Sequence, residues 1–178
     1  MKYPMKKFTR TLKVLVFVFA SLLIIGFAHA GTQSVTLTPE SVVAFSDEAT
    51  ALQVYYDVID GKQKTTGIGI RIHFNSKVIE NISLSDVYGE GMVGQHYSPQ
   101  KDINNLDNDT TTDMFIIVAW AGITGQWPAF LSMPGAVATL NLKIKADAPN
   151  TETKINVTAS SIAAGYNFKG NSTRLLIQ

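Results

Sequence analysis

Residues 137–146, VATLNLKIKA, alternate apolar and polar side chains with a period of two. The apolar set is Ala138, Leu140, Leu142, Ile144 and Ala146, and the polar set between them is Thr139, Asn141, Lys143 and Lys145. Successive side chains of a β-strand point to opposite faces of its sheet. The stretch therefore predicts a strand with one buried face, and a chain built from such strands is all-β.

The same alternation recurs along the chain, at residues 68–74 and 155–159. Turn-forming residues at 147–151, DAPNT, predict that the strand at 137–146 and the strand at 155–159 form an antiparallel pair. Residues 114–121, MFIIVAWA, are apolar on both faces, which predicts a strand at the centre of a sheet. Further strands are predicted at residues 35–38, 52–59, 78–84 and 173–177.

The number and spacing of these strands predict the architecture. About eight or nine short strands are separated by Gly, Pro, Asn and Asp, and no amphipathic helix is long enough to cover a parallel sheet. We therefore expect an antiparallel β-sandwich of the jelly-roll type, formed as one domain by residues 31–178.

Residues 1–30 have the pattern of a signal peptide. They carry five basic and no acidic side chains, followed by an apolar stretch at 14–25 and the small-residue motif Ala28-His29-Ala30. The apolar stretch is shorter than the roughly 18–20 residues of a membrane-spanning helix, which predicts cleavage after Ala30. We expect a bacterial protein that meets the membrane only during export and is then secreted or periplasmic. The chain has no cysteine, which excludes disulfides and lipoprotein attachment.

The charge of the remaining chain excludes one class of partner. Residues 31–178 hold ten basic and 14 acidic side chains, a formal charge of −4. A general nucleic-acid binder needs a basic surface that neutralises phosphates, so we expect no nucleic-acid partner.

Residues 88–113 show no strand period and end in an acidic run at 102–113, DINNLDNDTTTD. Long structureless loops in compact domains are usually functional or disordered. Calcium takes six to eight oxygen ligands, which closely spaced carboxylates and amides supply. One hypothesis is therefore a calcium site, and the other is a solvated loop whose Asp and Asn favour turns. The candidate metal ligands are Asp102, Asp107, Asp109 and Asp113.

Aromatic residues in turns are candidates for carbohydrate binding. Trp127 lies in the turn sequence GQWP beside Gln126, and Tyr88 and Tyr97 lie in the long loop. Flat rings on loops stack against sugars, and polar neighbours bind the hydroxyls. In the alternative interpretation Trp127 fills one end of the core, as tryptophan is highly buried on average. Trp120, inside an apolar strand, is predicted to be buried.

Catalytic motifs are absent from the sequence. Residues 31–178 contain two histidines, His73 and His96, and the chain has no H-E-x-x-H, no G-x-S-x-G and no cysteine nucleophile. We expect no catalytic residue and no enzymatic activity. Alternation places His73 on the outward side of its strand, which predicts a surface residue.

Two stretches resemble a known family. Residues 74–79, FNSKVI, and 135–146, GAVATLNLKIKA, are similar to strands of cohesin domains and related carbohydrate-binding modules (CBM2/CBM3-type), and the threonine-rich stretch at 153–161 fits the strand that follows. The resemblance covers residues 35–178, although Phe74 and Asn75 replace the usual tyrosine and aspartate. It implies a nine-stranded jelly-roll sandwich that is secreted, non-catalytic and binds a polysaccharide or a protein.

Two functional hypotheses follow. In the first, an exported cohesin-like domain binds a polysaccharide or cell-surface glycan with assistance from calcium. In the second, the chain is a structural, adhesive or scaffolding subunit that assembles through protein–protein contacts of the cohesin type or through strand exchange. In the strand-exchange version, residues 31–45 act as the donor strand.

Overall fold

The computed structural model describes residues 31–178, except for the side chains of Met92, Gln95, His96 and Tyr97. The predicted signal peptide lies outside the described residues. Eleven strands run through the described part: β1 (Thr32–Thr38), β2 (Ser41–Ala44), β3 (Ala49–Ile59), β4 (Gly67–Phe74), β5 (Ile79–Ser85), β6 (Met92–Lys101), β7 (Met114–Ala121), β8 (Gly135–Ile144), β9 (Thr151–Ser161), β10 (Asn167–Gly170) and β11 (Ser172–Ile177). Within residues 31–178, no helix is long and apolar enough to span a membrane.

The strands form two packed sheets. The five-stranded sheet has the order β10-β1-β3-β8-β5, and the six-stranded sheet has the order β2-β11-β9-β4-β7-β6. All pairs are antiparallel except β1 with β10 and β2 with β11. This confirms the predicted all-β sandwich. The strand count exceeds the prediction because the four-residue strands β2 and β10, together with β6, escaped the alternation pattern.

The core lies between the inner faces of the two sheets. Strand β4 contributes Ile68, Ile70, Ile72 and Phe74, each at most 3% exposed, and β8 faces them with its own apolar row. One end of this core is closed by aromatic rings: Trp127 lies 4.9 Å from Tyr56 and 5.9 Å from Trp120 between ring centroids. Apolar burial of this kind is the main favourable term in folding.

The predicted antiparallel pair of β8 and β9 is wrong. Strand β8 pairs with β3 and β5 in one sheet, whereas β9 pairs with β4 and β11 in the other. The connection turns at Ala148, whose N–H donates to the Lys145 carbonyl, and this side chain is buried. A turn between two half-buried strands therefore joins the sheets across the sandwich, and local turn chemistry does not distinguish this from a hairpin.

Two predictions about the middle of the chain are also wrong. Residues 88–113 are not one long loop, because β6 occupies Met92–Lys101 and pairs with β7. The register of this pair shifts between His96 and Gln100, and such a bulge interrupts the alternation by which strands are recognised. Strand β7 lies one position from the sheet edge rather than at its centre.

The proposed donor strand is already used within the chain. Residues 32–38 form β1, which pairs with β3 and β10, and residues 41–44 form β2, which pairs with β11. Val35 and Leu37 on this segment are at most 1% exposed. Donation of residues 31–45 to a neighbour would first break these pairs and expose this buried surface, so strand exchange stays a prediction.

We expect Ile72→Ala to destabilise the fold by about 2–5 kcal/mol, because Ile72 is fully buried on a central strand and truncation leaves a cavity. Chemical denaturation of residues 31–178 measures this change. Ile123→Ala is the matched control: its side chain is 88% exposed, and its effect should stay within about 0.5 kcal/mol. Equal destabilisation by both variants would contradict the described core.

Candidate functional site: the acidic loop and the six-stranded face

Residues 102–113, here called the acidic loop, connect β6 to β7 and fold over the outer surface of the six-stranded sheet. Its ends are joined by the Asp102 N–H, which donates to the Asp113 carbonyl at 2.9 Å. The Asp102 carboxylate accepts the Leu106 N–H at 3.0 Å. Asn105 and Asn108 adopt positive φ angles of 50° and 58°, a region that Asn tolerates better than most residues. The Asp- and Asn-rich sequence thus forms consecutive tight turns.

His73 lies beneath this loop. It points outward from β4, as alternation predicts, but it is 0% exposed, so the predicted surface position is wrong. Its Nε2 lies 2.8 Å from Thr158 Oγ1 on β9. Its Nδ1 lies 2.9 Å from Asp102 Oδ2 and 3.8 Å from Asp107 Oδ2. The Asp102 contact lacks the alignment of a hydrogen bond, so Nδ1 is buried without a hydrogen-bond partner.

Asn156 and Thr112 donate hydrogen bonds to the Asp107 carboxylate. The Asn156 amide nitrogen donates to Asp107 Oδ2 at 2.8 Å and to Asp109 Oδ2 at 3.2 Å. The Thr112 hydroxyl donates to Asp107 Oδ2 at 2.5 Å. Asn156 stands opposite His73 in the register of β4 and β9, so the two strands jointly anchor the loop.

The four predicted metal ligands do not converge on one point. Asp102 and Asp107 join His73 in a group whose candidate ligand atoms all lie within 4.8 Å of one another. Asp109 is turned to Thr111, whose hydroxyl and N–H donate to its Oδ1 at 2.6 and 3.0 Å. Asp113 is turned to Ser76, which donates from its N–H and its hydroxyl, each at 2.7 Å. Of the four predicted ligands, only Asp102 and Asp107 therefore lie beside His73 in one group.

Burial and hydrogen bonding set the charges of these groups. Burial lowers the pKa of His73, and the attraction of Asp107 and Asp102 only partly offsets this. The hydrogen bond from the Thr111 hydroxyl lowers the pKa of Asp109. Burial raises the pKa of Asp113, but the hydrogen bonds from Ser76 outweigh it and the net pKa is lowered. The lowered pKa of His73 favours the neutral imidazole, and the lowered pKa values of Asp109 and Asp113 favour their ionised forms.

Trp127 is part of the core, and the predicted sugar-stacking role is wrong for this ring. It is 2% exposed, and its Nε1 donates to the Glu90 carbonyl at 3.0 Å. Trp120 is buried as predicted, and its Nε1–H donates a hydrogen bond to the Tyr88 carbonyl at 2.9 Å. A ring with no accessible face cannot stack on a sugar, so the core interpretation of Trp127 holds.

The exposed ring at this end of the sandwich is that of Phe130, which is not one of the predicted sugar contacts. Tyr88 is half-buried, packs edge-on against Trp127, and donates its hydroxyl to Glu90. Gln126 is exposed at the same end of the sandwich. The side chain of Tyr97 lies outside the described set. Glu90, which sequence reasoning missed, organises this end by accepting the Ala129 N–H at 2.8 Å.

The outer surface of the six-stranded sheet, here called the six-stranded face, is apolar along β7. Ile116, Val118 and Trp120 point into the core, so the outward row of β7 is Phe115, Ile117, Ala119 and Ala121. Phe115 is 6% exposed but packs outside the core, 5.4 Å from the His73 ring and 5.8 Å from the Arg71 guanidinium. Next to this row, β4 presents Gly67 and Gly69, which add no side chain.

The five-stranded face, the outer surface of the other sheet, is polar and internally hydrogen-bonded. Gln53 donates to Thr139 at 3.0 Å, and Thr139 donates to Asp86 at 2.9 Å. Asn141 donates to Ser85 at 3.0 Å. These side chains satisfy one another, whereas the outward row of β7 has no polar group to satisfy. The two faces therefore differ in what they offer to a partner.

The fold is that of cohesin modules. No family model matches this chain, and no curated protein matches it. The OlpA cohesin of Clostridium thermocellum, solved in complex with Doc918 as a type I cohesin–dockerin complex, has a TM-score of 0.50 and 12% identity, covering 83% of this chain and 99% of that one. A type III cohesin from the ScaE cell-surface anchoring scaffoldin of Ruminococcus flavefaciens has a TM-score of 0.49 and 12% identity, with coverages of 87% and 93%. A cohesin module from a Clostridium perfringens family 33 glycoside hydrolase has a TM-score of 0.47 and 11% identity, with coverages of 85% and 98%.

The likeness to the OlpA cohesin confirms the cohesin-like sandwich that residues 74–79 and 135–146 predict. The chain is a cohesin-like β-sandwich, with two sheets in which nearly all strand pairs are antiparallel.

We expect Glu90→Gln to lower the melting temperature at neutral pH, with an effect that fades in acid. The Tyr88 hydroxyl and the Ala129 N–H donate to the Glu90 carboxylate and lower its pKa from 4.5. A carboxylate with a lowered folded pKa stabilises the fold above its unfolded pKa, and the effect is lost as pH falls through the folded pKa.

Thermal melts of both proteins from pH 7 to pH 3 test this expectation. The gap in melting temperature should be largest above about pH 5 and should close below 4.5. Glu80→Gln, a change at an exposed glutamate on β5, is the control and should show little gap at any pH. A Glu90→Gln gap that stays constant across this range would contradict the described hydrogen bonds.

Proposed function

We propose that this protein is an exported, non-catalytic binding module whose partner is a protein that docks on the six-stranded face. The observation that carries the proposal is the outward row of β7, where the half-buried Ile117 and Ala119 and the exposed Ala121 form an apolar strip. Apolar strips in contact with water that are rimmed by polar groups are typical of interaction surfaces.

The shape of this face supports a protein partner. The strip is flanked by the glycines of β4, which leave a shallow surface, and by the acidic loop at one end. Specific protein interfaces have an apolar centre and a polar or charged rim, which matches this arrangement. The cohesin module solved with Doc918 shares the fold and is itself half of a protein complex.

Export is supported by residues 1–30, whose basic, apolar and small-residue segments have the order of a signal peptide. A destination outside the cytoplasm also fits a fold of 148 residues that lacks cysteine and is stabilised by its apolar core.

Carbohydrate binding is the less favoured function. Its central residue, Trp127, is buried, and the exposed ring beside Glu90, that of Phe130, is not one of the predicted sugar contacts. Calcium binding by the acidic loop stays a prediction, and in the structure only Asp102 and Asp107 of the four predicted ligands join the cluster around His73.

A matched pair of variants tests the docking face. Ala119→Arg places a charged side chain in the outward row of β7, and Ala51→Arg places the same side chain on β3 in the five-stranded face. Immobilised residues 31–178 are used to capture proteins from the extracellular fraction of the source organism. A captured protein is then produced alone and titrated against each variant by biolayer interferometry.

We expect Ala119→Arg to weaken the affinity at least tenfold, since a charge at the centre of an apolar contact must be desolvated. Ala51→Arg should change the affinity less than twofold. Equal binding by both variants would contradict docking on the six-stranded face. Retention of the wild-type domain by polysaccharide matrices, with no protein titrating, would contradict the protein-binding function itself.

A further inference from the structure

We propose that His73, Asp102 and Asp107 form a binding site for a first-row divalent transition metal, with zinc as the ion that the ligands suit best. This inference concerns the cluster beneath the acidic loop and is independent of docking on the six-stranded face. The three groups come from β4 and from two turns of the loop, so a bound ion joins the loop directly to the sheet.

The two carboxylates of the cluster are buried without a cationic side chain. The side chains of Asp102 and Asp107 are 0% and 1% exposed, and among the described residues no lysine or arginine forms an ion pair with either. Two carboxylates buried side by side are unfavourable unless a positive charge compensates. A divalent cation supplies that charge at the point where the carboxylates meet.

The His73 ring is oriented by a contact on each of its two nitrogens. Its Nε2 lies 2.8 Å from Thr158 Oγ1, which can accept the Nε2 proton. In that tautomer Nδ1 carries the lone pair and faces Asp102 Oδ2 at 2.9 Å, so two acceptors oppose each other. Metal-bound histidines regularly donate their other ring N–H to an oxygen in this way. Because Nδ1 has no hydrogen-bond partner, a metal ion between it and the carboxylates resolves the conflict.

The distances from Nδ1 to the two carboxylates are close to those of a zinc site. Zinc bonds to nitrogen and oxygen of about 2.0–2.2 Å place neighbouring ligand atoms roughly 3–3.6 Å apart. The two measured separations from Nδ1, 2.9 Å to Asp102 and 3.8 Å to Asp107, lie on either side of that range. Shifts of a few tenths of an ångström bring these two separations into the range, and all three ligand atoms lie within 4.8 Å of one another.

Ligand chemistry selects the kind of ion. Calcium and magnesium prefer oxygen ligands alone, whereas imidazole suits zinc, copper, nickel and iron. A groove of about 490 Å³ opens beside the cluster, lined in part by Asp107, Asp109 and Asn156. Of the three ligands only Asp107 lines this groove, so the ion would enter beside Asp107, where there is room for water as a further ligand.

Two other buried oxygens in this region lack a hydrogen-bond donor. Asn105 Oδ1 in the loop and Asn156 Oδ1 on β9 are both buried without a hydrogen-bond partner. The Asn156 amide nitrogen already serves Asp107 and Asp109, so its oxygen is left over. Buried acceptors without partners are rare in native proteins.

The test is calorimetric titration of metal-free residues 31–178, which hold both sheets and the whole described core, with zinc chloride and separately with calcium chloride. We expect one zinc ion per chain at micromolar or lower dissociation constant, weaker binding of calcium by at least a hundredfold, and a melting temperature raised by roughly 5 °C at saturating zinc. No zinc heat at millimolar concentration, or tighter binding of calcium than of zinc, would overturn the proposal.

Variants assign the ligands. Asp102→Asn and His73→Gln should each weaken zinc binding at least tenfold. Asp113→Asn makes the same chemical change in the same loop, but at a carboxylate bound to Ser76, and should leave the affinity within twofold. His96→Gln, at the other histidine of residues 31–178, should also leave it unchanged. Equal losses in Asp102→Asn and Asp113→Asn would mean that the loop attracts cations non-specifically, which contradicts the site.

A measurement on the unaltered protein covers the case in which a variant fails to fold. X-ray absorption of the zinc-loaded protein should show one imidazole ring and otherwise oxygen ligands at about 2.0–2.2 Å. A spectrum without an imidazole contribution would rule out His73 as a ligand and overturn the proposal.

Discussion

Strand β4 is buried on both faces, and the arrangement of the molecule depends on this double burial. Its inner row, from Ile68 to Phe74, forms the centre of the core, and seven of its eight residues are buried. The opposing sheet covers only the inner face of such a strand, so another part of the chain must cover its outer face. The acidic loop supplies that cover around His73, while its outer side remains exposed.

The loop holds its position through polar contacts rather than apolar burial. Ile103 is 84% exposed and Leu106 is 40% exposed, so the apolar side chains of the loop contribute little. Asp102, Asp107 and Asp109 instead bond to the loop backbone, to Thr111 and Thr112, and to Asn156 of β9. Such networks stabilise strongly when every member is satisfied and cost free energy when one is not. In this network Nδ1 of His73 and the side-chain oxygens of Asn105 and Asn156 have no hydrogen-bond partner.

The two outer faces of the sandwich differ in polarity. The five-stranded face satisfies its own polar groups, and the six-stranded face presents an apolar row that ends against the acidic loop. A partner that docks on the six-stranded face therefore meets an apolar strip and an acidic rim within one surface. An ordered loop lowers the entropic cost of forming such a contact, because fewer conformations are lost on binding.

The sequence by itself determined the fold class and the inner face of most strands. Period-two alternation identified β4, β8 and β9, and it correctly placed His73 and Asn156 on the side of their strands away from the core, because side-chain direction in a strand is a local property. The resemblance to cohesin domains rested on the same strands. Composition also identified residues 102–113 as unusual.

Only the tertiary structure decided which strands pair, where Trp127 lies, and which side chains meet. The turn after β8 crosses to the other sheet, and the bulge in β6 conceals that strand. His73 and Asp102 are 29 positions apart in the chain, and Asn156 and Asp107 are 49 apart. Contacts at such separations depend on how the sheets stack and how the loop folds back, and local pattern carries no information about either. For this reason the sequence did not show that Asp102 and Asp107, but not Asp109 or Asp113, lie with His73 in one group.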